Sequence, residues 1–340
     1  MARASIRDVA ALADVSVGTV SMVLNNSNKV SIHTRMNVLD AIKKLNYKRN
    51  PYARSLSLNK SHNIGFIVTD LTNPYFGMMV GHLQQEVNSR ENSLMLGMTE
   101  NTVRLEKRLI ESLVNSGVDG LIIVPAHERD PDIAHIHALL SQKIPTVFIS
   151  SHYTGIESNC VMTDLAKGSY DMTRYLLETG HRNILYISGY RGLVLSELRI
   201  QGFVEAHRDM GLLVAPDQIV EADPIFQGGY SAAKQALGAK RPDAIMAIND
   251  VLCMGVLSYL HEAGLSVPDD ISVAGYDDLL YSGMLETPLT TVRQPIREMC
   301  ACAVEMLFHL IHGGETNPKP LLLAPTLIVR TSTKSRRETE

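Results

Sequence analysis

The 340-residue sequence has no tryptophan, six phenylalanines and four cysteines, and no apolar run as long as the roughly 18 residues a membrane-spanning helix needs. The missing run excludes a helical membrane protein. The opening "MARASIRDVAALADVS" places charged residues where a secretory signal needs an apolar stretch, so a cytoplasmic protein is expected. Cys160, Cys253, Cys300 and Cys302 are too few and too scattered to frame disulfides, and reduced thiols follow. The "CAC" of Cys300 and Cys302 sits inside a helical apolar pattern and reads as small buried hydrophobes rather than metal ligands. His135 and His137, two residues apart, fall on opposite sides of a helix. No metal or other cofactor is expected. G-x-G-x-x-G, G-x-x-x-x-G-K-[ST] and G-x-S-x-G are also absent, which removes the easiest nucleotide and hydrolase readings. No nucleophile with a neighbouring base stands out, and an enzyme is not expected.

Charge is present but unevenly spread. The chain totals −4, yet the first sixty residues carry ten Lys or Arg against three Asp, and the acidic excess lies wholly in the remainder. A small basic module ahead of a large acidic body is the asymmetry of a protein whose front meets a polyanion.

Three helices are expected in that front. "SIRDVAALAD" puts Ile6, Val9, Ala10 and Ala13 on one face with Ser5 as cap. Asp14, tolerant of left-handed backbone, falls in the tight connection, and Ser16 caps a second helix whose inward stripe is Val20, Val23 and Leu24. In "SIHTRMNVLDAIKKLN", Ser31 caps a third helix with Ile32, Met36, Leu39, Ile42 and Leu45 as its apolar stripe. This is a helix-turn-helix headpiece, and its second helix is the one that enters a major groove. Val17, Gly18 and Met22 are placed against base edges, where the two apolar side chains can pack on thymine methyls. Ser16, Thr19, Ser21 and Asn25 are placed on phosphates. In "NYKRNPYARSLSLNK", Asn50 can cap a short hinge helix with Pro51 at its first position. Leu56 is then an apolar wedge for the minor groove.

Beyond residue 60, short apolar runs alternate with amphipathic helices: "NIGFIVTDL", "SLMLGMTE", "DGLIIVPA", "IPTVFIS", "NILYISG", "AIMAIND" and "ISVAGYDD" are the strands of a parallel α/β architecture. Ligands collect beyond the carboxyl ends of such strands, which selects Asp70, Ser150, Asn249, Asp250, Asp277 and Asp278. Carboxylates and amides there suit a hydroxyl-rich ligand, with Phe76 as an apolar wall. The tail "TSTKSRRETE" has no apolar heptad, which favours a dimer over a coiled-coil tetramer.

"IRDVAALADVSVGTVSMVLNN", "VSIHTRMNVLDAIKKLNYKRNPYARSL", "SGVDGLIIVPA", "LSVPDDISVAGYDD" and "LTTVRQP" together resemble the lactose-repressor/galactose-repressor family of bacterial transcription regulators. The resemblance implies a homodimer on a pseudo-palindromic operator in double-stranded DNA, with paired hinge helices inserting Leu56 and placing Ala53 in the minor groove. It implies a repressor whose operator affinity is set by a small-molecule effector, typically a sugar or a purine, of which a sugar is the first expectation. Arg199 in "ELRIQGF", Asn249 in "IND" and Asp277 in "GYDD" match effector-contacting positions of that family, and Phe76 matches a packing contact. Sugar-binding members often carry an acid where this chain has Ser150 and Ser151. The implied organisation is a headpiece (1–46), a hinge (47–60), a periplasmic-binding-protein-like effector domain (61–332) and a polar tail (333–340). The effector domain would have two parallel-sheet subdomains, 61–162 with 291–320 and 163–290 with 321–332. The alternative is a soluble sugar-binding receptor without DNA function, which DNA binding separates from the first reading.

Overall fold

The computed structural model describes residues 4–24, 27–47, 61–126, 132–238 and 241–336. Asn25, Asn50, Ala53 and Leu56 lie outside the described residues. The chain divides into two compact units, Met1–Ser61 and His62–Glu340.

The first unit holds α1 (Ile6–Leu12), α2 (Val17–Leu24) and α3 (Ile32–Lys44). Ser5 closes a capping box with Asp8, and the hydroxyls of Ser16 and Ser31 accept from the backbone N–H three residues on, satisfying donors that a helix start leaves free. Asp14 takes φ 51° in the connection. Val9, Ala10, Ala13, Val20, Val23, Val38 and Ala41 make the core. The expected stripe of α3 is corrected here: Ile32, Met36 and Leu39 are exposed, and the buried face is Val38 and Ala41, with Ile42 and Leu45 beside them. The small Val38 and Ala41 let α3 sit close to the other two helices, which the bulkier face would prevent.

The second unit has two parallel sheets. The first contains β1 (Asn63–Val68), β2 (Ser93–Met98), β3 (Gly120–Ile123), β4 (Thr146–Ile149), β5 (Cys160–Thr163) and β11 (Pro320–Leu323), in the order β11-β5-β4-β3-β1-β2. The second contains β6 (Ile184–Ser188), β7 (Ile219–Glu221), β8 (Ala244–Ala247) and β9 (Ser272–Ala274), in the order β7-β6-β8-β9. A two-stranded antiparallel ribbon of β10 (Thr291–Arg293) and β12 (Thr326–Ile328) lies where the chain crosses between the sheets. Two expected boundaries change. Arg293, expected with the first subdomain, bridges to Asp277 beyond the second sheet's β9, continuing the Ala274–Thr290 bridge, and 320–323 extend the first sheet beside β5. Pro320 is tolerated because β11 is an edge strand. The start of the expected polar tail is also packed: Thr333 is buried, its hydroxyl 2.8 Å from Thr290 Oγ1 and 3.0 Å from the Tyr175 hydroxyl, while the Arg336 N–H reaches the Thr179 carbonyl.

Between strands come α4 (Pro74–Asn88), α5 (Val103–Asn115), α6 (Ala134–Ser141), α7 (Leu165–Glu178), α8 (Val194–Asp209), α9 (Phe226–Leu237), α10 (Asp250–Glu262) and α11 (Ile296–Ile311). The helices α9 and α10 cross through reciprocal glycines: a Cβ on Gly255 would collide with the Phe226 carbonyl, and one on Gly229 with the Leu252 carbonyl. Because the obstacle is backbone, Gly255→Ala is expected to destabilise by about 3 kcal/mol, lowering Tm by roughly 10 °C. Gly77 in α4 meets nothing within 4 Å. Gly77→Ala should therefore leave Tm unchanged or raise it through helix propensity. Equal Tm for the two variants in a thermal melt would refute the close crossing.

Candidate functional site

On α2, Ser16, Val17, Gly18 and Met22 are exposed, Thr19 and Ser21 half-buried, while Val20 and Val23 point into the core. Ser16 Oγ lies 2.9 Å from Thr19 Oγ1 and accepts from Thr19 N at 3.1 Å, so part of both hydroxyls' capacity is already used in the cap. Val17 and Met22, 41% and 38% exposed, put apolar side chains on the outward face of α2.

In the second unit one cavity of about 390 Å³ gathers the strand ends. Asp70, Phe76, Ser150, Arg199, Asn249 and Asp277, all six expected from the sequence, line it. A larger hollow of about 980 Å³ runs along β7, past Arg182, Asp217 and Gln235, and collects none of the six. The smaller cavity is therefore the candidate site.

The residues around it are positioned by a hydrogen-bond relay that crosses from one sheet to the other. Tyr75, at the start of α4, has its hydroxyl 3.2 Å from Ser150 Oγ and donates to Gln294 Oε1 at 3.3 Å. Thr163 Oγ1 donates to the same oxygen at 2.7 Å, and Gln294 Nε2 donates to Asp277 Oδ1 at 2.7 Å. Arg199 projects from α8 with its guanidinium 4.2 Å from the Tyr276 ring centroid and Nη2 3.9 Å from Asp277 Oδ1. Its Nη1 donates to the Leu195 carbonyl at 3.2 Å. Arg199 Nε and Thr69 Oγ1 are buried with no hydrogen-bond partner among the described residues, and both residues line the cavity. Ser150 and Asp277 hold φ of 71° and 116°, conformations disfavoured for side chains with a Cβ and found where binding sites store strain. Burial pushes the Asp277 carboxyl up to about 8, against the pull of Arg199.

Not every strand-end residue serves the cavity. Asp250 is fully buried and accepts from Leu279 N, Ser282 Oγ and Thr291 Oγ1, while burial raises it to about 6. Asp278 pairs with Arg293 and Arg330, each at 2.6 Å. Both lock the crossover rather than face a ligand. Asn249 caps α10 by accepting from Leu252 N at 2.8 Å and donates to the Pro224 carbonyl at 3.0 Å. Asp70 accepts from Thr72 N and Oγ1 in its own turn.

Residues 5–50 match the model of bacterial regulatory proteins of the lacI family, and residues 173–333 match a periplasmic binding protein-like domain. The chain is 34% identical over 330 residues to the ribose operon repressor of Escherichia coli, covering 97% of this chain and 99% of that protein. It is 33% identical over 334 residues to the HTH-type transcriptional repressor PurR of Pasteurella multocida, covering 98% and 99%. The chain belongs to the lacI family of bacterial regulatory proteins. This lacI-family chain is thus a DNA-binding transcription regulator controlled by a small molecule, with a helix-turn-helix domain and a periplasmic-binding-protein-like domain. The lac repressor dimer bound to operator and the anti-inducer ONPF superposes with TM-score 0.88 at 27% identity, covering 98% of this chain and all of that one. A complex of the transcriptional regulator CelR with cellobiose superposes with TM-score 0.73 at 29% identity, covering 97% and 100%.

Sequence reasoning missed Tyr75, Gln294, Thr69 and Thr163 in this lacI-family site. The signal for Tyr75 was its place beside Phe76 at a helix start. For Gln294 it was an amide side chain in "TVRQP", directly after the ribbon strand β10.

Proposed function

We propose that this lacI-family regulator is a homodimeric repressor whose cleft binds a sugar, and that the bound sugar alters its affinity for operator DNA. The observation that supports the sugar is the ring of mixed donors and acceptors, Asp70, Ser150, Arg199, Asn249 and Asp277, around a cavity of about 390 Å³ with Phe76 on one wall. A sugar hydroxyl both donates and accepts, so it can answer a carboxylate, an amide and a guanidinium in turn, while its C–H face lies on an aromatic ring. On the DNA side, Ser16, Thr19, Ser21 and Asn25 hold phosphates, and Val17, Gly18 and Met22 face bases without a strong hydrogen-bond donor among them. Apolar contact with thymine methyls then carries the recognition. Asn50, Ala53 and Leu56 are assigned to the hinge and minor groove. A ligand moves the DNA equilibrium only by as much as it prefers one state of the protein.

Gel-shift titration of the full chain against fragments from its own genome tests the DNA half. Salt-sensitive, sequence-preferring binding that shifts on adding one member of a mono- and disaccharide panel is expected. Preferential response to a free purine base would replace the sugar, and unselective binding would remove the operator reading.

A further inference from the structure

The charge around the cavity narrows the ligand further, on the footing of the sugar reading above. Among the described residues that line it, Arg199 is the sole cation, against the acidic side chains of Asp70 and Asp223 and the buried, largely neutral carboxyl of Asp277. Arg199 is already shared with the Leu195 carbonyl, the face of Tyr276 and, at 3.9 Å, Asp277. The other common device for holding an anion is a helix N-terminus, where free N–H groups and the helix dipole favour negative charge. Four helices begin at this cavity, and each start already carries an acidic or amide side chain of the chain itself. Asn73 caps α4, accepting from Tyr75 N at 3.0 Å. Glu197 lies in the first turn of α8 and accepts from Gly192 N at 2.9 Å. Asn249 caps α10, with Asp250 directly after it. Asp223 lies three residues ahead of Phe226, the first residue of α9, and lines the cavity.

We infer that the cleft takes the free, uncharged form of its ligand and rejects the phosphate ester of the same compound. A phosphate brings close to two negative charges and three acceptor oxygens, and needs Arg or Lys forks or unoccupied helix starts to meet them. This cavity supplies a single Arg, too few charges to meet a phosphate dianion, and fields of the wrong sign from Asp70 and Asp223. The regulator therefore reads a nutrient before a kinase or other phosphoryl-transfer reaction consumes it, not the phosphorylated product.

Isothermal titration of the full chain with matched pairs tests this: ribose with ribose 5-phosphate, glucose with glucose 6-phosphate, and adenosine with its 5′-monophosphate. In roughly 0.1 M salt, where charges are felt over about 10 Å, the binding member should be the free compound, with its ester at least tenfold weaker. An ester that binds as tightly as its parent, or more tightly, overturns the inference while leaving the cleft a binding site. Where another member of the mono- and disaccharide panel binds, that member and its own phosphate ester are the pair compared; silence from the whole panel overturns the sugar reading itself, and the inference falls with it. The variant Asp223→Asn separates charge from fit: the ratio between ester and parent should shrink in the variant, and in the unaltered protein as salt is raised. A ratio indifferent to both shows that size excludes the phosphate, and the electrostatic inference is then wrong.

Discussion

Replacing Arg199 by alanine is expected to abolish the ligand response of this lacI-family chain while changing its affinity for operator by less than about threefold. Arg199 Nε is buried without a partner among the described residues and Nη2 stands 3.9 Å from Asp277 Oδ1, so the guanidinium has donors to give a ligand. Hydrogen bonds to a charged group contribute about 1.5–3 kcal/mol each, and losing one or two weakens ligand affinity on the order of a hundredfold. The fold has less to lose. The bond to the Leu195 carbonyl stays within one helix, and the Asp277 carboxyl that would be left behind is already pushed toward its neutral form by burial. Arg199→Lys keeps the charge but not the planar fork, and should recover only a small part of the affinity. Titrating ligand by calorimetry and operator by gel shift on the same preparation separates the two effects. If operator binding collapses along with ligand binding, Arg199 is holding the second unit together rather than serving the cavity.

How far the sequence reached can be traced residue by residue. The ends of β1, β4 and β8 were legible because each apolar run stops abruptly at a polar side chain, and a parallel sheet puts those stops at one edge. The caps at Ser5, Ser16 and Ser31 were legible because they act within three residues. The relay from Ser150 through Tyr75 and Gln294 to Asp277 was not, since its members lie up to 219 positions apart and meet only when both sheets are formed. Strands β5 (CVMT) and β7 (IVE) are short and lack the longer apolar run that marks β4 and β8. On α3 the period itself was ambiguous: Ile32, Met36 and Leu39 form one apolar stripe and Val38, Ala41, Ile42 and Leu45 another, offset around the same helix. Only the distance to α1 and α2 chooses between them, and small side chains win where helices come close. Thr333 reads as polar tail because its hydrogen-bond partners, Thr290 and Tyr175, are far away in sequence.

Asp277→Asn should produce the opposite combination, a site that no longer binds inside a protein that is harder to melt. The carboxyl is raised by burial from 3.8 to about 8, which means that the fold prefers it protonated. That preference is fully satisfied below about pH 3.8 and is lost progressively as pH climbs through 8, where the folded chain must hold a buried carboxylate. Asparagine keeps an oxygen to accept from Gln294 and is neutral throughout, so the melting temperature of the variant should draw ahead of the unaltered protein as pH rises from about 4 to 8. Asp250, also raised by burial, has the same sign in both proteins and cancels in the difference. Arg199 works against this gain by losing its anion, but at 3.9 Å, and as a smaller influence than burial, it reduces the gap without reversing it. Ligand affinity should show the mirror image. A sugar hydroxyl that donates to the ionised carboxylate binds better as pH rises toward 8, and this dependence vanishes in Asp277→Asn together with about a hundredfold of affinity. The trade is the one expected of a residue kept for its function at the expense of the resting fold, with φ of 116° as a second sign of it. Melting curves that run parallel from pH 4 to 8 would show that Asp277 is ionised and compensated in the ligand-free protein, and would move the origin of the pH dependence elsewhere.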